Sequence, residues 1–248
     1  MGNGRIGLSK TGGKPVKWNL SSANASSFGI TLKKNGRLSA NEIGFDREAA
    51  KKNRETYLGY IDEALDTVNK MGVLLGLRPS ELPEVEFFYG AHGADGTMGY
   101  FTPSFRDVGR IHMLAAALEN KQSLDTAAHE FIHAIEASWI KQDHSVFLDR
   151  INAWQNHTYS EAIVLNAMGK KKYVESEFKA WASKIYRTKW EMNNPSDAYA
   201  TKMPAEAITC AVQSVLRYGK SAPPNAWAII RELKKEVRRH RKSSKNTK

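Results

Sequence analysis

The chain of 248 residues holds a single cysteine, Cys210, which excludes an internal disulfide and implies no oxidising compartment. It lacks any run of about 20 apolar residues that would cross a membrane. No secretory hydrophobic region follows Met1. Gly2 is not part of a myristoylation pattern, because Ile6 stands where serine or threonine is required. Internal repeats are absent. Acidic residues are outnumbered, 26 against 37 lysines and arginines, giving a net charge of +11. These absences lead to the expectation of a soluble protein made in the cytoplasm, with no membrane span.

Within that frame the run His129-Glu130-Phe131-Ile132-His133 stands out. It lies in a mostly apolar stretch, Ser123 to Trp139, that the pattern assigns to a buried helix, with Asp125 and Thr126 suited to its start. Residues four apart on a helix share a face, with Cβ atoms roughly 5–6 Å apart, so both imidazoles can reach one ion. Zinc takes two histidine nitrogens, a third protein ligand and a water. Glu130 follows the first histidine by about 100° of rotation, which puts its carboxylate beside the water as a general base and off the metal.

A third ligand has to come from elsewhere, and the residues leave two candidates open. Glu206 sits in the first turn of a helix that Pro204 would begin, where a carboxylate also suits the helix dipole. His144 follows the motif in a polar segment beside Asp143, where a surface or capping role is equally natural.

His129-Glu-Phe-Ile-His133-Ala-Ile-Glu136, taken with Tyr199, six intervening residues and Glu206-Ala-Ile, resembles the gluzincin metallopeptidases, and among them the lethal-factor-like and phage or prophage zincin domains. The resemblance spans about residues 85 to 217. It implies His129, His133 and Glu206 as zinc ligands, Glu130 as the base that activates water, Tyr199 as oxyanion donor and Glu136 as hydrogen-bond support for a ligand. Two positions depart from the family pattern: Cys210 replaces a frequent second glutamate, and Ile208 replaces an aromatic. The alternative with His144 as third ligand resembles the SprT-like proteases that act on DNA–protein crosslinks, without the glycine usual after that histidine.

Elsewhere, Val85–Tyr89 and Arg110–Leu114 read as short strands around a glycine-dense loop, and Arg110–Leu114 is the expected sheet edge for an extended substrate. His92 and His112 carry no ligand spacing. Asp46–Leu75, Val146–Trp154, Glu161–Ala167, Tyr173–Trp190 and a segment from about Ala226 read as helices. The expected class is α+β: a helix-dominated zincin-like fold with a small mixed sheet packed beside the H-E-x-x-H helix. Its expected organisation is an arm over 1–45, a metallopeptidase domain over 46–222, and a C-terminal helix with a basic tail over 223–248. That tail, from Arg231 to Lys248, reads as a solvated end that attracts nucleic acid or an acidic partner in a salt-sensitive way. No aromatic follows Trp227, so base stacking is not indicated. Three functions fit: a zinc metalloendopeptidase acting on protein or peptide, phage-encoded and packaged in a virion on the family analogy; a DNA-associated protease using His144; and a noncatalytic virion or binding protein of zincin fold.

Overall fold

The computed structural model describes residues 30–34, 54–78, 81, 85–91, 99–102, 109–114, 123–143, 158–186 and 198–246. His92, His144 and the helix expected over Val146–Trp154 lie outside these residues, as does most of the N-terminal arm. Six helices are described: α1 (Arg54–Leu75), α2 (Ser123–Asp143), α3 (Thr158–Met168), α4 (Glu175–Ala182), α5 (Pro204–Tyr218) and α6 (Pro224–Asn246). Four short strands, β1 (Ile30–Lys34), β2 (Val85–Ala91), β3 (Gly99–Thr102) and β4 (Gly109–Leu114), pair as a backbone ladder in the order β1-β2-β4-β3.

The expected α+β class is corrected here. Outside that ladder the described residues are 80% helical, with no strand, sheet or barrel, so the architecture is a helical one. The physical reason lies in where apolar area is collected. Strands of four to seven residues offer two or three inward side chains each. Helices of up to 23 residues repeat their apolar stripe over several turns. Ile111 of β4 is buried. The expected substrate edge is also displaced, because β4 is flanked by β2 in parallel and by β3 antiparallel, leaving β1 and β3 outermost.

The chain forms two compact units, one within 18–72 and 77–152, the other within 73–76 and 153–248. In the first, α1 buries Leu65, Val68 and Met71 at helical spacing. Helix α2 buries Ala127, Ala128, Phe131, Ile132, Ala134 and Ile135 over about 160° of arc, and the burial of Thr126, Glu130, Glu136 and Ala137 as well extends the covered surface around most of its circumference, marking it as an interior helix. It continues to Asp143, one turn past the expected end.

In the second unit α1 ends at Gly76, whose φ of 71° suits a residue without a β-carbon. Helix α4 is shorter than the expected Tyr173–Trp190. Its closing turn is satisfied twice: the Ser183 amide donates to the Lys179 carbonyl at 3.0 Å, and Asn225 Nδ2 donates to the Trp181 carbonyl at 2.9 Å. Pro204 opens α5 after an extended Met203, as its missing N–H and fixed φ favour. Helix α6 takes in the segment read as a solvated tail. Ala226, Ile229, Ile230, Leu233 and Val237 follow the i, i+3, i+4, i+7 pattern of one helix face and are all buried.

Candidate metal centre

Helix α2 sets the first two side chains. His129 and His133 are one turn apart and half-buried, with their rings at 4.9 Å and 81°. Their Nε2 atoms face each other at 3.3 Å. Two nitrogens about 2.0–2.1 Å from one tetrahedral ion are separated by about 3.3–3.4 Å, so the imidazoles already stand at the spacing zinc requires.

Glu136, three residues on, is 0% exposed, and its Oε2 lies 3.4 Å from His133 Nδ1. With its ring proton on Nδ1, toward this side chain, His133 would present the Nε2 lone pair to a cation. The contact is compatible with the support that the resemblance implies for Glu136. Glu130 is also buried, at 7% exposure. It is carried on the same helix between the two histidines, so the apolar neighbours Phe131 and Ile132 fix the backbone that presents it.

The third member comes from the first turn of α5. Ligand atoms of His129, His133 and Glu206 all lie within 4.8 Å of one another, and this group could hold a metal ion. Glu206 is half-buried and its Oε2 is enclosed. Pro204 and Ala205 beside it are buried and pin the start of the helix, and the Thr209 hydroxyl donates to the Glu206 carbonyl at 2.9 Å. The donor set, two imidazoles and a carboxylate, is one that zinc accepts in open catalytic sites. Among the described residues no other His, Cys, Asp or Glu joins the group. Cys210, one turn further along α5, is buried and free of disulfide.

Tyr199 opens a single 3-10 turn, Tyr199–Thr201, ahead of α5. At 42% exposure it is not a core tyrosine, and the Lys202 ammonium sits 4.0 Å from its ring centre. His112 is at the middle of β4, in register with Phe88 and Tyr100.

One polar cluster had no signal in the sequence. The Tyr159 hydroxyl donates to Glu236 Oε2 at 2.9 Å and lies 3.0 Å from His240 Nε2, and Arg239 Nε donates to the same Glu236 oxygen at 2.8 Å. Burial, and then the Glu236 charge, push the Tyr159 phenol well above its ordinary range, so it stays a donor. These partners are about 80 residues apart in sequence, beyond the reach of any spacing rule.

No protein family, curated protein or solved structure matches this chain. The geometry of the site stands by itself.

Proposed function

We propose that the protein is a zinc-dependent metalloendopeptidase, with His129, His133 and Glu206 as ligands and Glu130 as general base. The observation that carries this reading is the convergence of two imidazole nitrogens 3.3 Å apart with a carboxylate from a helix 73 residues downstream. A zinc ion held there supplies an acidified water, with a pKa of about 7, and a Lewis acid for the scissile carbonyl.

The chain's own groups do the remainder. Glu130 accepts the proton from water and returns it to the departing amine, a service worth about 10²–10⁴-fold in rate. Its burial keeps competing water away from the proton it carries. Glu136 holds His133 with Nε2 turned toward the group. Tyr199, exposed in the 3-10 turn that precedes α5, donates a hydrogen bond to the oxyanion, and the Lys202 cation beside its ring reinforces that polarity.

The test separates metal from chemistry. Glu130→Gln is expected to keep zinc and to lose cleavage of an unfolded protein substrate by about 10²–10⁴-fold. A Glu130→Gln protein that still cleaves at the wild-type rate ends the assignment. Wild-type protein that holds zinc yet cleaves neither itself nor unfolded substrates points to the noncatalytic alternative.

A further inference from the structure

Helix α6 turns its apolar residues inward and is tied down along its length. Ala226, Ile229, Ile230, Leu233 and Val237 are 0–3% exposed. Near its start Asn225 donates to the Trp181 carbonyl, in its middle Glu236 and His240 meet the Tyr159 hydroxyl, and beyond them Arg241 donates to the Gly76 carbonyl. A helix anchored at three places along its length presents its outer side as a rigid bar.

That outer side is cationic. Arg231, Lys235, Arg238 and Lys242 are exposed and spaced by four, three and four residues. At about 100° per residue they fall within roughly 60° of arc, and at about 1.5 Å per residue they form a line some 16–17 Å long. The acids of this helix lie to one flank, where Glu232 meets Lys235 at 2.7 Å and Glu236 meets Arg239 at 2.8 Å. On the other flank, burial and the Arg238 charge hold the Lys234 ammonium below the ordinary lysine range. Like charges are thus crowded along the ridge, and a polyanion laid on it would relieve them.

We infer that this ridge of α6 docks the phosphate backbone of double-stranded nucleic acid, without reading its sequence. A duplex carries one negative charge per about 1.7 Å of axis with both strands counted, so the stretch spanned by this line holds about ten phosphates, enough for those on the near side to meet all four cations. An acidic peptide offers at best one charge per about 3.3–3.6 Å of extended chain. An anionic bilayer would call on the apolar side of an amphipathic helix, and that side is already buried within the protein. Between Arg231 and Lys242 the sequence has no Phe, Tyr or Trp, which leaves no platform for unstacked bases and favours a backbone contact. This inference does not rest on the peptidase reading.

The experiment is fluorescence anisotropy of the full chain with a labelled duplex of about 25 base pairs, over roughly 50 to 200 mM salt. The wild-type log–log salt slope should be about −3.6 or steeper for four phosphate contacts. The variant Arg231→Gln/Lys235→Gln/Arg238→Gln/Lys242→Gln should bind at least about tenfold more weakly and lose about 3.6 of that slope, while Arg231→Gln/Lys242→Gln should lose about half as much. Glutamine is a good helix former, so circular dichroism and melting should match the wild type. The control Lys171→Gln/Lys172→Gln/Lys179→Gln/Lys184→Gln removes the same charge from exposed positions elsewhere in this unit and should bind within about twofold of wild type. Equal losses in the ridge and control variants would overturn the inference. So would tighter binding to polyglutamate or to anionic vesicles than to the duplex.

Discussion

Helices α2 and α6 are nearly equal in length, at 21 and 23 residues, yet they handle polar side chains in opposite ways. Helix α2 is apolar around most of its circumference and buries two carboxylates, Glu130 and Glu136. Helix α6 is crowded with charge, fully buries none of its described Lys, Arg or Glu side chains and covers one apolar stripe. A carboxylate removed from water costs several kcal/mol unless it is compensated, whereas an exposed lysine costs almost nothing. The contrast teaches that a polar residue is informative in proportion to how dry its surroundings are. Two glutamates and two histidines on an apolar helix require a chemical reason, and a cation shared by the group that could hold one, together with the Glu136–His133 contact, would provide it.

The two helices should respond alike to loss of packing and differently to loss of polarity. Phe131→Ala in α2 and Leu233→Ala in α6 each empty a site that is at most 1% exposed. Each should cost about 2–5 kcal/mol, seen as a fall in the denaturation midpoint. If Leu233→Ala cost nothing, α6 would be a solvated tail after all and the comparison would fail.

Smaller effects come from the polar side. Glu136→Gln should weaken zinc binding about 10–100-fold while the protein stays folded, measured by competition with a chelator. Unchanged affinity would reduce Glu136 to a filler. Tyr159→Phe should cost about 1–3 kcal/mol by removing the hydroxyl that joins α3 to α6. The sign of its pH dependence follows from the raised phenol. The folded state favours the protonated form, so this stabilisation is complete below the ordinary tyrosine range near pH 10 and is lost as pH rises above it. The phenylalanine variant should lack that alkaline loss. Smallest of all, Arg238→Gln on the ridge should alter stability by less than about 0.5 kcal/mol.

Part of this arrangement was legible in the residues. The spacing of His129 and His133 and the apolar background of α2 require only helical periodicity, and the nitrogens stand 3.3 Å apart accordingly. Pro204 marked the start of α5 through its own stereochemistry. The approach of Glu206 was not legible in the same way, because a separation of 73 residues encodes no distance and only resemblance favoured it over His144. The α+β expectation was helix-dominated, yet it let short β-rich runs such as Val85–Tyr89 define the class beside helices three or four times longer. At the C-terminus a helix from about Ala226 was expected, but its reach past Arg231 was harder to read. Its charge masked the stripe Ala226, Ile229, Ile230, Leu233 and Val237, which recurs at helical intervals beneath the lysines and arginines.

The central claim is that two imidazoles of α2 and the Glu206 carboxylate grip one zinc ion. Zinc-edge X-ray absorption, with metal quantified in the same samples, addresses it directly in the wild type and in Glu206→Ala and His144→Ala. The account predicts about one zinc per chain in a nitrogen and oxygen shell at roughly 2.0–2.2 Å, retained in His144→Ala and lost or severely weakened in Glu206→Ala. Zinc held unchanged by Glu206→Ala and released by His144→Ala would contradict it.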